Sequence, residues 1–321
     1  LAGKRMSDTL APWQQRAYEH AAATLAEGRL GHALLICGPA QLGKRKVAER
    51  LAAHLLAAHE PRAAHLLEAG THPDFHMVTL QLNKEGTKLR NEIVIEQIRE
   101  LSEKLSLTPQ YGGAQVAIVD PADAINHAAC NALLKTLEEP QPGRYLWLLA
   151  SNPSRLPATI RSRCQRLEFR LPPRDEALAW LLAQGHAQKA ATEALDAARG
   201  HPGLADAWLR DGGMALRKDV AGDLAKLARG EAAPIETAQR WVADDDATLR
   251  LRHAADLALA EAAGLTDPAR IRKLASWFDA ANRTCDLLRT TVRADLAVAE
   301  LLLAWRGQEA QGAGTGSRGY R

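Results

Sequence analysis

The sequence predicts an α/β domain with a parallel sheet over residues 1–170, then a small helical domain at 171–213 and an all-helical domain at 214–306. Three observations carry this. Short apolar runs alternate with helix-spaced amphipathic stretches through the first half, the pattern of a parallel sheet with crossover helices. Strand-like runs stop at Leu171. Ala and Leu are abundant and aromatic residues form only 4% of the chain, which favours helices over an all-β design.

Each element follows from its own pattern. After Pro12, "WQQRAYEHAAATLAEGRL" reads as a helix closed by Gly28 and Gly31, and "HALLIC" as a short buried strand. The residues after Gly43 form a helix with Val47, Leu51 and Leu55 at helical spacing. Residues 74–80, "DFHMVTL", are a second strand, and "LNKEGTKLR" is a charged turn. "IVIEQIRELSEKLSL" places Ile95, Ile98, Leu101 and Leu105 on one helix face. "QVAIVD" is a buried strand ending at Asp120, and "INHAACNALLKTLEEP" a helix stopped by Pro140. "YLWLLAS" and "CQRLEFR" complete the strands. Three or four short helices follow to Gly212 and Gly213, a hinge. Residues 219–306 read as helical, with breaks near Gly230–Pro234 and Gly264–Pro268, and Trp241, Trp277, Phe278 and Trp305 as core packing. The Gly-rich tail at 307–321 is expected to be disordered.

Composition excludes some classes. The chain of 321 residues is 46% hydrophobic and 25% charged, as in a globular protein with a sizeable core. No run approaches the ~18–20 apolar residues of a membrane span. The first residues lack the apolar region of a secretory signal, and Met6 reads as the natural start, with residues 1–5 an upstream extension. Cys37, Cys130, Cys164 and Cys285 lie far apart, as reduced thiols of a cytoplasmic protein rather than a disulfide frame or thiolate metal site. A net charge of +3 permits nucleic acid nearby without requiring it.

The chemistry concentrates in three places. Gly38, Gly43 and Lys44 form the G-x-x-x-x-G-K skeleton of a phosphate-binding loop between a strand and a helix. Glycines let backbone N–H groups converge on phosphate oxygens, and the helix N-terminus adds partial positive charge. The hydroxyl residue that should follow the lysine, a magnesium ligand, is Arg45. Asp120 ends a strand where a magnesium-binding carboxylate belongs, but the Glu that would activate water is Pro121. Asp123, three residues past the strand, is expected to point elsewhere. Two independent parts of the hydrolytic machinery are therefore missing. Ser151 or Asn152 stands where a phosphate-sensing polar residue would be, and either could instead cap the turn before Pro153. The third place is Ser162-Arg163-Cys164, just ahead of the last strand.

"NALLKTLEEP" followed by "LLASNPSRLPATIRSRC" resembles the clamp-loader branch of the AAA+ ATPases, densely from Trp13 to Arg170 and weakly again at "VRADLAVAELLLAW". "LAPWQQ", "GTHPDF" and "EQIREL" narrow the likeness to the stator subunits of bacterial DNA polymerase III clamp loaders. The resemblance implies an AAA+ domain with a degenerate P-loop, a helical lid and a helical collar. It implies a non-catalytic subunit of a hetero-pentamer with gamma/tau motors and delta, acting on the sliding clamp and primer-template DNA in the cytoplasmic replisome. Arg163 would be an arginine finger working in trans. Gly38, Gly43, Lys44 and Asp120 would be vestigial, with no ATPase activity of the chain's own inside the polymerase assembly.

The chain departs from the family in two respects. Many relatives carry a four-cysteine zinc module after the P-loop helix. Here the segment has only His54, His59, His65, His72 and His76, at no zinc-site spacing, so no zinc and no other cofactor is expected. Where motors place a second sensor arginine, "ARGHPGLADAW" has Arg199 before Gly200 and none in the following helix turn. Two alternatives stand beside the stator: a hydrolysing gamma/tau-like motor, favoured by Lys44 and Asp120 and opposed by Arg45 and Pro121, and a free-standing P-loop kinase or DNA-processing ATPase, which leaves "SRC" and "NALLKTLEEP" unexplained.

Overall fold

Apolar strands buried on both faces need helices above and below, and the chain supplies them. The computed structural model describes residues 9–83, 86–288, 290 and 292–310. These divide into two compact units, one reaching to Gly185 and including 198–204, the other holding 186–197 and the described residues from Ala205 onward.

The first unit is built on five parallel strands: β1 Ala33–Cys37, β2 Phe75–Val78, β3 Gln115–Val119, β4 Arg144–Ala150 and β5 Gln165–Glu168, in the order β2-β3-β4-β1-β5. Side chains alternate across the sheet as the strand period requires. Leu34, Ile36, Val116, Ile118, Trp147 and Leu149 face α1 Pro12–Ala26, α2 Lys44–Ala57 and α3 Ala63–Glu68. Leu35, Cys37, Ala117, Val119, Leu148 and Ala150 face α4 Ile95–Ser106, α5 His127–Glu138 and α6 Ala158–Arg161. The result is three layers with two apolar seams.

The ends of these helices are held by side chains. Asn126 caps α5 by accepting the Ala129 N–H at 3.0 Å. Arg144 closes α4, donating to the Leu105 and Leu107 carbonyls at 2.9 and 2.6 Å. Helix α3 was not visible in the sequence, because six residues are too few for a helical period. The charged turn closes as an antiparallel bridge between Leu82 and Leu89, with residues 84 and 85 outside those described.

The short helices beyond the sheet are α7 Arg174–Ala183, α8 Gln188–Ala197 and α9 Pro202–Arg210. Helix α7 belongs to the first unit. There Trp180 meets Trp13 edge-on at 5.3 Å, and Glu176 pairs with Arg16 at 2.7 Å.

The core of the second unit lies among α10 Gly213–Ala228, α11 Pro234–Trp241, α12 Ala247–Ala263, α13 Pro268–Leu287 and α14 Ala294–Ala310. Gly212 takes a left-handed φ of 79° just ahead of α10. The expected breaks at 230–234 and 264–268 are present, and two more occur, at 242–246 and 288–293. At the first of these, Arg250 donates to both the Trp241 carbonyl and the Asp244 carboxylate, fixing a turn that three consecutive aspartates do not announce. Trp241, Trp277 and Trp305 are core residues as expected, and Phe278 packs against them half-buried. Each indole N–H is satisfied: Trp241 by Asp223, Trp277 by the Leu301 carbonyl and Trp305 by the Leu224 carbonyl. Residues 1–8 and 311–321, which include the expected start at Met6 and most of the expected tail, lie outside the described residues. Among the described residues no helix is long and apolar enough to cross a membrane.

Candidate phosphate-loop site and the opposite sheet edge

In a parallel sheet the crevice lies at the carboxyl ends of the strands, where the strand order switches direction. Here the chain passes from β4 over β1 to reach β5, so the switch falls at β1 and the loop after it opens there. Gly38 leaves the strand at φ 137°, and a Cβ on it would lie 2.2 Å from the Phe169 carbonyl oxygen, so only glycine fits. Gly43 precedes α2 in a left-handed conformation, φ 83°. Between them Leu42 is fully buried, and its carbonyl accepts both the Trp13 indole N–H at 3.0 Å and the Gln14 amide at 3.1 Å. That gives "LAPWQQ" a physical role: the start of α1 straps the loop.

Lys44 is buried. Its ammonium donates to the Gly38 and Pro39 carbonyls at 2.8 and 2.7 Å and to the Ser151 hydroxyl at 3.3 Å. Burial lowers its pKa, partly countered by Asp120 and Asp123. Asp120 directly follows β3, and burial raises its pKa against the opposing pull of Arg45 and Lys44. The sequence-predicted set, Gly38, Gly43, Lys44 and Asp120, is thus together at one sheet edge.

Arg45 pairs with Glu49 at 2.8 Å and extends a guanidinium nitrogen to 3.9 Å from the Asp120 carboxylate. A cation therefore stands beside the carboxylate that would hold a metal, and no hydroxyl ligand is present. The residues do not fit a magnesium ion. Pro121 brings no proton-transfer group. Asp123 corrects an expectation. A 3₁₀ turn at Ala122–Ala124 carries it back towards the loop, where it feels Lys44 and accepts the Asn152 N–H at 2.9 Å. Of the two candidates after β4, Ser151 touches Lys44, while the Asn152 side chain accepts the Ser154 hydroxyl and caps no backbone N–H.

The segment 198–204 covers the crown of the loop. A Cβ on Gly203 would lie 2.0 Å from the Gln41 carbonyl oxygen, and the His201 ring reaches the Ala40 backbone. Arg199 takes a left-handed φ of 52° ahead of this turn. Nothing in the apolar pattern marks Gly203 or Gln14 as loop residues, because both act across distant segments.

The histidines in and after α2 are dispersed. The His54 ring bonds the Tyr18 hydroxyl at 2.9 Å, His59 packs on Gly113, and His72 accepts the Asp74 N–H at 3.1 Å.

Arg163 lies at the other edge. It precedes Gln165, the first residue of β5, which pairs with Leu34 near the start of β1, whereas Glu168 at the far end pairs with Cys37 beside the loop. The four residues of β5 lie between its turn and the loop edge, about 13 Å at ~3.3 Å per residue. Its guanidinium, 37% exposed, donates to the Thr159 carbonyl at 2.9 Å and forms an ion pair with the Glu138 carboxylate at 2.6 Å. Cys164 beside it is buried, and its thiol is pushed up to about 11, so it stays protonated and unreactive at neutral pH.

Comparison with known proteins decides the family. The sequence model described as "DNA polymerase III, delta subunit" matches residues 13–173. The delta-prime subunit of DNA polymerase III from Pseudomonas aeruginosa is 35% identical over 240 residues, 72% of this chain and 70% of that protein. The chain belongs to the DNA polymerase III delta-prime family. The Escherichia coli delta-prime subunit is 34% identical over 223 residues, 67% of this chain and 65% of its own length. The matched stretches thus span about two thirds of these delta-prime relatives. In fold, a gamma subunit-related protein of DNA polymerase III from Thermotoga maritima superposes with a TM-score of 0.50 at 17% identity, covering 91% of this chain and 99% of its own. The chain therefore shares that fold, a P-loop α/β domain followed by helical domains.

Proposed function

We propose that this chain is a non-hydrolysing subunit of a replicative clamp loader, which completes the ATPase site of a neighbouring motor subunit with Arg163. The observation that carries the reading is the separation of its two charged features. A finger arginine set the length of β5, about 13 Å, from its own phosphate loop cannot serve that loop, yet it is half-exposed at a sheet edge where an adjoining subunit can meet it.

The chemistry needs such a group. In ATP hydrolysis the water oxygen attacks the γ-phosphorus, the bond to the bridging oxygen breaks, and ADP and phosphate leave. Charge spreads over the transferred group, and a planar guanidinium stabilises it. A finger of this kind is worth roughly 10³–10⁵ in rate, or about 4–7 kcal/mol of barrier. The chain itself needs neither zinc nor a nucleotide in this role. Its partners are a gamma/tau-type motor next to Arg163 and a delta-type subunit completing a pentamer, with the clamp and primer-template DNA reached through the assembly.

The test is single-turnover ATP hydrolysis by the reconstituted loader with Arg163→Ala. Loss of the turnover at one site supports the reading, and an unchanged time course refutes it. The motor alternative draws on Lys44 and Asp120, which do meet at the loop, and the Arg45–Asp120 contact opposes it. Motor-like ATP hydrolysis by the isolated chain would establish the motor instead.

A further inference from the structure

The Glu138–Arg163 pair joins the two segments most distinctive in the sequence, the end of "NALLKTLEE" and "SRC". Glu138 is the last residue of α5, where the helix already carries partial negative charge, so a carboxylate there is locally disfavoured. A tertiary role removes the paradox. Leu137 is 3% exposed, Ile160 fully buried and Cys164 9% exposed, and all three belong to one apolar cluster. That cluster fixes the backbone on both sides of the pair. Only side-chain torsions remain free, and the pair restrains them.

The donor inventory shows what the restraint leaves available. A guanidinium has five N–H donors. Arg163 commits one on Nη1 to the Thr159 carbonyl, and its Nη2 forms an ion pair with Glu138. The other donors remain for phosphate oxygens while these two contacts hold the guanidinium.

We infer that Glu138 is a positioning residue that presents Arg163 to the neighbouring subunit's ATP. This rests on the finger role proposed above. Without the carboxylate, the arginine must find its orientation from a broad rotamer distribution during each turnover. An exposed ion pair contributes little to folding, so its removal leaves the chain folded.

The experiment compares the reconstituted loader carrying Glu138→Ala, Glu138→Gln or Arg163→Ala, with ATP hydrolysis resolved into kcat and KM and assembly checked by gel filtration. Glu138→Ala is expected to slow the site completed by Arg163 by roughly 5- to 50-fold at unchanged KM and unchanged assembly. Glu138→Gln, which keeps an acceptor oxygen, recovers most of that rate. Wild-type rate in Glu138→Ala overturns the inference. So does a faster rate, which would make the pair a restraint on the finger, or a change in KM or assembly alone. If Arg163→Ala also retains full rate, the finger reading itself falls; if only Arg163→Ala is slow, the Glu138 role alone falls.

Discussion

The two edges of the sheet have diverged in opposite ways. At the carboxyl edge the whole phosphate loop persists in form: a left-handed Gly43, a buried Lys44 and a carboxylate on Asp120. Every one of these groups is occupied by the protein itself, Lys44 by loop carbonyls and Asp120 by the approach of Arg45. At the amino edge Arg163 sits on a short turn, part exposed and held by the Thr159 carbonyl and the Glu138 carboxylate. The lesson is that geometry can outlast chemistry. A loop that shapes its surroundings is retained as scaffold, whereas a reactive group needs exposure and a fixed direction.

The comparison breaks or sharpens at four points. The largest effect belongs to Arg163→Ala, expected to slow one site of the assembled loader by ~10³–10⁵ while the isolated chain melts as before. The next belongs to Gly38→Ala. Its new Cβ meets the Phe169 carbonyl at 2.2 Å, and overpacking plus a φ of 137° should cost roughly 3 kcal/mol in urea unfolding. A loss well below 1 kcal/mol would mean that the loop is not the rigid scaffold described.

A smaller effect is pH-dependent. Burial holds the His201 pKa below its ordinary 6.5. Between the folded value and 6.5 the unfolded chain binds more protons, so this contribution is full above about 6.5 and is lost as pH falls through the folded value. The stability deficit of His201→Gln, measured by urea midpoints from pH 7.5 down to 5, should therefore shrink with acidity. A constant deficit would remove His201 from the crown of the loop. Smallest is Arg45→Ser. It deletes a half-exposed ion pair, for a change under about 1 kcal/mol. Phosphate release by the isolated chain should stay at background, because Pro121 still offers no base; hydrolysis appearing in this variant would show that Arg45 alone silences the loop.

The strands and the loop were legible because their signals are local. "HALLIC" and "QVAIVD" are apolar runs bounded by polar or Gly residues, and G-x-x-x-x-G-K needs no distant partner. Asp123 departs from the expectation because the residues after the strand form a 3₁₀ turn, which the strand's direction does not foretell. Gln14, Gly203 and Glu138 were invisible as site residues, since each matters only through a contact with a segment tens of residues away. The break at 242–246 is fixed by Arg250 reaching back six residues to Asp244, a side-chain contact that the apolar pattern does not carry.

The placement of Arg163 at the start of β5 has a consequence for how the assembly spends fuel. On the proposed role, the finger of this chain and the loop that grips the nucleotide it acts on reside on different polypeptides. ATP at that site is then consumed only after two subunits have come into register, so the reaction acts as a coincidence detector for correct assembly.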